Sequence, residues 1–480
     1  MIVMKFGGTS VGDAQRVHEA ATIALSQSEP RVVVVSAASG VTNLLIDAAR
    51  AAGRGQDDKV TAAYDAIVAK HFNILDSIVN AEERASTRSI IESLHVELLT
   101  TLGRVTAEGQ LSDRWSDRIV SFGEKCSSVM MAAVMRDLGH RACHIFAESL
   151  IGTDNRHGAA RPDRQRTREM TTTALLPLLN DGQTVVVTGF IGSSPSGDTT
   201  TLGRGGSDYS ATLLGAALDA SEVQIWTDVP GVLTSDPRKI PSARVVPEVS
   251  FDEAQELAHF GAKVLHPRTI RPAVSRNIPV RILSTFAPEE PGTVVTRETQ
   301  GDRVKAVTAL RGLIVVSVEV PELEDFAEAC AAVFRVMAAD HVEIVTVSQS
   351  SSRRRMTFLV DGLLGGCVRM TDRLEDELQD LDATVQCTEN VAILAAVGAG
   401  AARTPTALSQ MLRVLHRANV PVLATNQQTS NVAMLVVIPE AVADRAVEAV
   451  HNAFIRPVTA SARSRRGRRS AMLAETVRVG

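Results

Sequence analysis

Close to the N-terminus stands Val3-Met4-Lys5-Phe6-Gly7-Gly8-Thr9-Ser10-Val11, an apolar strand that runs directly into a glycine turn. A second strand of this kind, Val32–Ser36, leads into Ala37–Thr42, a turn of small and hydroxyl residues, and a helical pattern follows each turn. Short β-branched strands without polar interruption are typical of strands buried on both faces. The N-terminal part is therefore predicted to hold a mainly parallel sheet covered by helices.

The alternation of strands and helices continues to about residue 297. The segment 43–138 is long, charged and mostly helical, with breaks expected at Gly53 and Gly109. A second glycine loop, Leu202–Asp208, opens a helix of small residues. Further buried strands are predicted at Thr184–Ile191, Glu222–Thr227 and Pro279–Ser284. We expect a three-layer α/β/α domain over residues 1–297.

The pattern changes after the turn-rich stretch Ala287–Gly292. Two consecutive βαββαβ units are predicted, at residues 304–388 and 389–460, and they form an internal repeat of small α+β domains. The expected strands are Leu313–Val320, Glu343–Ser348, Met356–Val360 and Thr384–Cys387, then Val391–Val397, Val422–Ala424 and Val432–Val437. Residues 461–480 contain an arginine run, which we expect to form a solvated, disordered tail.

Composition and charge limit the classes of function. The 480 residues are 45% hydrophobic and carry a formal net charge of −5. The chain as a whole therefore lacks the excess of positive charge that is typical of a nucleic-acid-binding protein. No apolar run approaches the ~18 residues of a membrane span, and the N-terminus has no apolar segment of signal-peptide length. We predict a cytoplasmic protein that binds neither nucleic acid nor membrane.

The cysteines predict a reducing compartment. There are five, an odd number, with no CxxC pair: Cys126, Cys143, Cys330, Cys367 and Cys387. This pattern favours free thiols over a disulfide framework or a zinc site.

The glycine loops are candidate anion sites. A strand, a glycine turn and a helix together present unpaired backbone N–H groups and a positive helix end. Such loops occur at Gly7–Gly8, at Gly40 and at Gly203–Gly206. A single loop would be read as a tight turn only, but three loops in one domain favour phosphate binding. None is a P-loop, and the HRD and DFG motifs of protein kinases do not occur.

Charged residues adjoin these loops. Lys5 is the penultimate residue of a strand that is otherwise apolar, where an unpaired ammonium would be costly. Arg204 and Asp208 flank Gly205-Gly206-Ser207, and Asp228 ends a predicted strand. Glu124 is predicted to begin a helical segment. A structural explanation is also available for it, because a carboxylate in the first turn of a helix interacts favourably with the helix dipole. Together these residues supply cations for phosphate and carboxylate groups, and acids for an ammonium group or Mg²⁺.

At this point a family resemblance becomes specific, because the opening motif resembles the signature of the aspartate kinases. Six further stretches are similar to the motifs of that family, in the same order: Gly40–Leu45, Ser121–Glu124, Gly189–Gly192, Thr200–Asp208, Trp226–Gly231 and Phe260–Pro267. The two α+β units resemble the paired ACT domains of the family, so the likeness covers all but the last ~20 residues. It implies a monofunctional aspartate kinase with an amino-acid-kinase fold followed by two ACT-like domains.

The resemblance also implies roles for individual residues. Lys5 would contact the transferring phosphoryl group, and Asp208 would hold Lys5 in place. Arg204 would clamp the α-carboxylate of L-aspartate in its planar fork, and Glu124 would accept from the substrate ammonium. The same pocket would be lined by Thr42, Phe190 and Ser207. The nucleotide would be bound by Lys5, Gly7, Gly8, Thr9, Thr227, Asp228, Leu233, Arg238 and Lys263. Leu233 stands where the family often has a tyrosine beside the adenine.

The implied chemistry agrees with the residue types. A carboxylate is already ionised at neutral pH, so phosphoryl transfer from ATP needs no general base and rests on positioning and on cations. Mg²⁺ would be held mainly by ATP oxygens and water, so we expect no separate metal site in the protein.

Three alternatives compete with this interpretation. A related kinase of the same fold could act on acetylglutamate, glutamate or UMP, but the opening motif and the paired α+β units argue against it. A catalytically inactive sensor would have no need of the intact Lys5, Arg204, Asp208 and Asp228. Fusion to a dehydrogenase is suggested by Gly398-Ala399-Gly400, but Arg403 replaces the third glycine of the dinucleotide fingerprint and the chain is short for a second enzyme.

A regulatory site is predicted in the first small unit. The strand before Ser348 leads into a dense set of short donors and acceptors, Gln349, Ser350 and Ser351. From composition alone, a solvated turn would be the better explanation of these residues. The interpretation as a site rests on the resemblance of Val347–Ser352 to the effector loop of threonine-sensitive aspartate kinases. The kinase part resembles the lysine-sensitive enzymes, so threonine is placed only slightly ahead of lysine. ACT domains usually bind effector where two of them pair across subunits, which implies a homodimer or a higher homo-oligomer.

Overall fold

A computed structural model of the chain describes residues 1–261, 266–299, 303–322, 325–350, 352, 354–361, 366–399, 405–427 and 432–455. The described residues fall into two compact units. The N-terminal unit is drawn from residues 1–233 and 244–300, and the C-terminal unit from residues 234–243 and 301–480. No helix in the described ranges is long and apolar enough to cross a membrane.

The N-terminal unit alternates strands and helices. Its strands are β1 (Ile2–Phe6), β2 (Arg31–Val35), β3 (Ala142–Ile145), β4 (Thr184–Thr188), β5 (Ile191–Ser193), β6 (Thr199–Thr201), β7 (Glu222–Thr227), β8 (Glu248–Ser250), β9 (Val280–Ser284) and β10 (Thr293–Thr296). Its helices are α1 (Ala14–Leu25), α2 (Val41–Ala52), α3 (Asp57–Leu75), α4 (Ala81–Glu108), α5 (Asp113–Asp137), α6 (Arg164–Asn180), α7 (Gly206–Ala217), α8 (Phe251–His259) and α9 (Pro267–Ser275).

Eight of these strands form one sheet in the order β3-β4-β2-β1-β7-β9-β10-β8. All neighbouring strands are parallel except β9 and β10. Every residue of β1 and of β4 is buried, as expected for parallel strands covered by helices on both faces. The predicted mainly parallel α/β sheet is confirmed.

Strand β1 lies in the middle of this sheet. Its residue Lys5 is in register with Val34 of β2 on one side and with Ile225 of β7 on the other. Because parallel strands end at the same edge, the turns that follow β1, β2, β4 and β7 all lie at one edge of the sheet. Two of the glycine turns predicted to bind anions, at Gly7–Gly8 and at Gly40, are thereby brought together.

The helical segment predicted over residues 43–138 is confirmed as α2 to α5. Helix α2 ends at Gly53 and α4 ends at Gly109, which adopts φ +68°. A break between α3 and α4 was not predicted. Asn80 marks it, because its side chain accepts hydrogen bonds from the backbone N–H groups of Glu82 and Glu83 and caps α4.

The C-terminal unit is built on an antiparallel sheet. Its strands are β11 (Ala306–Glu319), β12 (Glu343–Ser350), β13 (Arg355–Asp361), β14 (Thr384–Val397), β15 (Ala424–Gln427) and β16 (Ala433–Pro439). Its helices are α10 (Phe326–Ala339), α11 (Gly366–Glu377), α12 (Pro405–Arg417) and α13 (Ala443–Phe454). The strand order is β12-β13-β11-β14-β16-β15.

The two repeats share their long strands. The boundary predicted between residues 388 and 389 falls inside β14, and β11 begins at Ala306 rather than at Leu313. Residues Ala306–Leu310 pair with β14 at positions 393–397, and Ser317–Glu319 pair with β14 at 384–386. The register shifts between Leu310 and Val315, where Gly312 has φ +72°, so one strand serves both repeats with a bulge between them.

Two further features differ from the expectations. Residues 234–243 pack in the C-terminal unit, where the backbone N–H of Val307 donates to the carbonyl of Thr234 at 2.8 Å. Cys367 and Cys387 form a disulfide with their Cα atoms 5.6 Å apart, so the prediction of free thiols is wrong for this pair. The antiparallel fold brings the start of α11 beside β14, which a spacing of 20 residues does not reveal. Cys126, Cys143 and Cys330 are free.

Two glycines inside helices provide a matched test of the packing. A Cβ added at Gly123 of α5 would lie 2.6 Å from the Cβ of Ala37, whereas one at the exposed Gly103 of α4 meets nothing within 4 Å. We expect Gly103→Ala to stabilise the fold by about 0.5–1 kcal/mol through helix propensity. Gly123→Ala should destabilise the fold. Overpacking costs roughly 1–3 kcal/mol, and the gain in helix propensity offsets only part of that cost. Denaturant unfolding of both variants measures this, and equal stabilisation by both would contradict the packing.

Candidate active site

A cavity of about 770 Å³ opens at the carboxyl ends of the central strands of the N-terminal unit. Most of the predicted site residues line it: Lys5, Gly7, Gly8, Thr9, Thr42, Glu124, Phe190, Arg204, Ser207, Asp208, Thr227 and Asp228. They come from the ends of β1 and β7, from the starts of α2 and α7, and from the middle of α5. The sheet topology therefore collects residues that are up to 223 positions apart, from Lys5 to Asp228.

The glycine turns give the cavity open backbone groups. Gly40 and Gly205 have φ +81° and +71° and stand directly before α2 and α7, so the N-termini of both helices open on the cavity. At Gly8 a Cβ would lie 2.9 Å from the carbonyl oxygen of Ala37, which leaves no room for a side chain. Unpaired N–H groups at two helix ends and close approach of the backbone are suited to phosphate oxygens.

Lys5 forms an ion pair with Asp208. The ammonium of Lys5 lies 2.7 Å from the carboxylate of Asp208, which is in the first turn of α7. Lys5 is only 9% exposed, so the opposite charge offsets much of the cost of its burial. The pair ties β1 to α7 and holds the ammonium at the cavity wall.

Glu124 is a buried carboxyl with half of its hydrogen-bonding capacity unused. Its Oε1 accepts from the backbone N–H of Ala37 at 3.1 Å, whereas its Oε2 has no partner among the described residues. Burial raises the pKa of Glu124 to about 8, and the hydrogen bond from Ala37 only partly opposes this. A cationic donor in the cavity would restore the ionised form.

Arg204 brings the opposite charge. It is exposed in the loop before α7, and within the described ranges its guanidinium pairs with no carboxylate. The cavity thus offers an available guanidinium fork and a buried carboxylate oxygen. That arrangement suits a small ligand with a carboxylate and an ammonium group.

The start of α7 is held by a tight contact. Phe190 adopts φ +70°, which is uncommon for a bulky residue, and its backbone N–H donates to Ser210 Oγ at 2.9 Å. A Cβ at Gly189 would lie 2.7 Å from the side chain of Ser207, and one at Gly206 would lie 2.5 Å from the Phe190 ring. These approaches position Ser207 and Phe190 at the cavity wall.

Two residues predicted at the nucleotide do not line this cavity. Leu233 is half-buried, pairs across a β-bridge with Val245 and does not line the cavity. Arg238 lies in the segment that belongs to the C-terminal unit, and its guanidinium pairs with Asp236 at 2.9 Å. Lys263 lies outside the described residues.

Asp117 is a positioning residue that the sequence analysis missed. It is 2% exposed on α5 and accepts hydrogen bonds from the backbone N–H groups of Gly158 and Thr201, from the Thr201 hydroxyl and from His157. A Cβ at Gly203 would lie 3.3 Å from the Gly158 carbonyl oxygen, so Asp117 supports the loop that carries Arg204. An aspartate among the polar residues of a helix gives no signal of this role. Ser39 and Asn43, which also line the cavity, were missed as well.

The predicted effector residues lie at the end of β12. Gln349 is exposed, Ser350 is half-buried with its hydroxyl 3.4 Å from that of Ser352, and Ser351 lies outside the described residues. Strand β12 is the last strand at one edge of the sheet of the C-terminal unit.

Comparison with known proteins places both units. Residues 1–284 match the family model of the amino acid kinases, and residues 394–454 match a model of the ACT domain. The lysine-sensitive aspartokinase 3 of Escherichia coli is 35% identical over 457 residues, which cover 94% of this chain and 98% of that protein. The chain spans about half the length of a bifunctional aspartokinase/homoserine dehydrogenase of Arabidopsis thaliana, to which it is 32% identical.

Two crystal structures of aspartokinase III of E. coli resemble the whole chain. One contains aspartate and ADP, and superposes with a TM-score of 0.78. The other contains lysine and aspartate, and superposes with a TM-score of 0.79. Each is 32% identical to this chain and covers 95% of it and 100% of the solved chain.

Glu124 generates a prediction on pH and stability. Its pKa rises from 4.5 to about 8 on folding, so between these values the folded protein binds more protons than the unfolded chain, and stability falls as pH rises. Glu124→Gln keeps an acceptor for Ala37 and removes this titration. We expect the stability of the variant relative to wild type to increase by up to about 1.4 kcal/mol per pH unit between pH 5 and 8.

The measurement is denaturant unfolding of both proteins across this pH range. Every other titrating group is common to the two, so the difference isolates Glu124. A difference that does not change with pH would show that Glu124 is ionised in the folded protein.

Proposed function

The chain belongs to the amino acid kinase family and, within it, to the aspartokinases, and we propose how its cavity transfers the γ-phosphoryl group of ATP to the β-carboxylate of L-aspartate. One observation carries the assignment of residues. The cavity has the Lys5–Asp208 pair beside its glycine turns, and it also holds the unpaired charge of Arg204 and the half-satisfied carboxyl of Glu124. Phosphate and amino-acid recognition are therefore combined in one space.

Aspartate is held by groups of opposite charge. Arg204 binds the α-carboxylate with two parallel N–H groups, and Glu124 accepts from the ammonium group. Binding of the ammonium supplies the missing partner of Glu124 Oε2 and returns the carboxyl to its ionised form. Thr42, Phe190 and Ser207 form the remaining wall and direct the β-carboxylate toward Lys5.

The nucleotide is held chiefly by the backbone. The N–H groups of Gly8 and Thr9 and those at the start of α7 bind phosphate oxygens, and Thr227 and Asp228 at the end of β7 complete the site. Gly7 lines the same site, and its own N–H donates to the carbonyl of Trp226 at 3.1 Å. Leu233, Arg238 and Lys263 remain predictions for the nucleotide. Mg²⁺, when bound, neutralises charge on the β- and γ-phosphates; the Asp208 and Asp228 carboxylates in the cavity wall are oxygen donors that fit such a hard cation.

The reaction requires positioning rather than proton transfer. An oxygen of the ionised β-carboxylate attacks the γ-phosphorus, the bond to the β,γ-bridging oxygen breaks, and ADP leaves with the electron pair of that bond. Lys5 contacts the oxygens of the phosphoryl group as charge moves between donor and acceptor. Asp208 keeps the ammonium at this position.

The first prediction for this function separates two roles. We expect hydroxylamine to trap an acyl phosphate that the chain makes from L-aspartate, ATP and Mg²⁺. Arg204→Ala should raise KM for aspartate about tenfold or more with a smaller effect on kcat, because a charge-assisted hydrogen bond contributes roughly 1.5–3 kcal/mol. Lys5→Ala should lower kcat by about 100-fold or more, because its charge acts on the transition state.

The matched controls are the exposed residues Arg54 and Lys59 of the same unit, whose replacement by alanine should leave both constants unchanged. Product from glutamate or acetylglutamate but not from aspartate would contradict the substrate. Near-normal kcat in Lys5→Ala would remove Lys5 from the catalytic residues.

Regulation is assigned to the C-terminal unit. We propose that an end-product amino acid binds at the end of β12, at Gln349, Ser350 and Ser351, and that β12 pairs with a second copy of the chain. The position of β12 at the edge of its sheet and the exposure of Gln349 support this proposal. Threonine is favoured by the resemblance of Val347–Ser352, and lysine is supported by the E. coli relative, whose structure contains it.

Inhibition assays distinguish the two effectors. Wild type should be inhibited by threonine, which we place slightly ahead of lysine, and Gln349→Ala should lose at least about tenfold in sensitivity to the inhibiting amino acid, because it removes a hydrogen-bonding group from the effector. The exposed Glu343 at the other end of β12 provides the control Glu343→Ala. Full sensitivity of Gln349→Ala would end the assignment of this loop. Light scattering of the purified chain tests the homodimer, and a monomer at working concentration would contradict it.

A further inference from the structure

Three helices of the N-terminal unit bring two histidines and a cysteine together. His71 lies on α3, His95 on α4 and Cys126 on α5, and one ring nitrogen from each histidine and the cysteine sulfur all lie within 4.8 Å of one another. The side chains are buried, with relative exposures of 1%, 4% and 0%. None of the three lines the active-site cavity, so the proposed kinase function does not explain this cluster.

The cluster is incompletely satisfied by the protein itself. His71 Nδ1 and His95 Nε2 share a hydrogen bond of 2.8 Å, but His71 Nε2 is buried and has no partner among the described residues. The rings of Tyr64 and Phe72 contact His95 edge-on, and they offer nothing to the free nitrogen of His71. A hydrogen-bonded pair of core histidines would explain one contact. It does not explain why the cysteine sulfur lies within 4.8 Å of these nitrogens.

The protonation states leave lone pairs for a ligand. Burial, with smaller contributions from His95 and Lys70, lowers the pKa of His71 to about 3, and burial lowers that of His95 to about 4. Both imidazoles are therefore neutral at physiological pH. Burial raises the pKa of the Cys126 thiol to about 12, so the sulfur keeps its proton until a metal ion displaces it.

The donor set and the burial together select the type of metal ion. Two imidazoles and one thiolate are soft ligands, of the kind that Cu(I) and Zn²⁺ accept. With a single thiolate, a divalent ion would leave one positive charge in an apolar core, and zinc would also require a fourth ligand. A monovalent ion balances the thiolate, and three ligands suffice for it.

We propose that His71, His95 and Cys126 form a buried, three-coordinate site for Cu(I). On binding, the S–H bond of Cys126 breaks, its proton passes to solvent and a Cu–S bond forms, with no change in oxidation state. The N–H proton of the hydrogen bond between His71 Nδ1 and His95 Nε2 moves to the other nitrogen of its own ring, so that both of these nitrogens can bind the ion. They separate to roughly 3.5 Å, the distance between two ligands about 2.0 Å from one ion at a trigonal angle. The site is neutral before and after binding.

The test is titration of the full chain with Cu(I), kept reduced by ascorbate, in competition with a colorimetric Cu(I) chelator. We expect one tightly bound ion per chain, and a loss of affinity of at least about tenfold in Cys126→Ser and in His95→Gln. The free cysteines outside the cluster provide the controls Cys143→Ser and Cys330→Ser, which should bind as wild type does. Circular dichroism identifies any variant that has not folded.

X-ray absorption of wild type loaded with Cu(I) does not depend on the variants. One sulfur and two nitrogen ligands support the proposal. Absence of a Cu–S contribution, equal binding by wild type and Cys126→Ser, or tighter binding of Zn²⁺ than of Cu(I) would overturn it. Aspartate kinase activity is measured in a separate assay. A chain that does not bind Cu(I) can therefore still be an active kinase, and an inactive chain can still bind Cu(I).

Discussion

The parallel pairing of β1 with β2 on one side and with β7 on the other is the constraint on which the active site depends. Because parallel strands end at one edge, this pairing brings the turns after Phe6, Val35 and Thr227 to the same place. The N-termini of α2, which follows the turn after Val35, and of α7 open on the same space. A one-residue shift of β1 would move Lys5 to the other face of the sheet and separate it from Asp208. The register of β1 therefore also determines where the charge of Lys5 lies.

The sequence allowed the main parts of this arrangement to be predicted, because they are local. Glycine turns after β-branched strands identify the strand ends, and the residues beside them were assigned before their contacts were known. Ser39 and Asn43 lie in the predicted glycine turn, where residue type alone did not show that they line the cavity. Asp117 was missed because its role arises from hydrogen bonds to Gly158 and Thr201, which are distant in sequence. The Cys367–Cys387 disulfide and the sharing of β11 and β14 by both repeats were missed for the same reason. Pairing between distant segments leaves no periodic signal in either one.

The active site carries energetic costs that the rest of the N-terminal unit must offset. Phe190 adopts a left-handed conformation, Lys5 is nearly buried, and Glu124 has an oxygen without a partner. Each costs stability in the free protein, and each belongs to a residue that the proposed function assigns to substrate or nucleotide. The strands of the central sheet bury many Val, Ile and Leu side chains, and this burial offsets such costs.

Helix α5 shows how satisfaction of buried polar groups separates structural residues from binding residues. At Asp117 both carboxylate oxygens accept hydrogen bonds from the protein, so nothing remains for a ligand, and the residue holds a loop. At Glu124 one oxygen is satisfied and the other is open toward a cavity, as expected for a group completed by substrate. Cys126 is buried beside the hydrogen-bonded His71–His95 pair and does not line the active-site cavity, so in the proposal it takes a ligand as small as a single ion. Residue type alone does not distinguish these three positions, since each is a buried polar or ionisable side chain on one helix. The three positions are distinguished by the number of polar atoms without a hydrogen-bond partner and by the space beside those atoms.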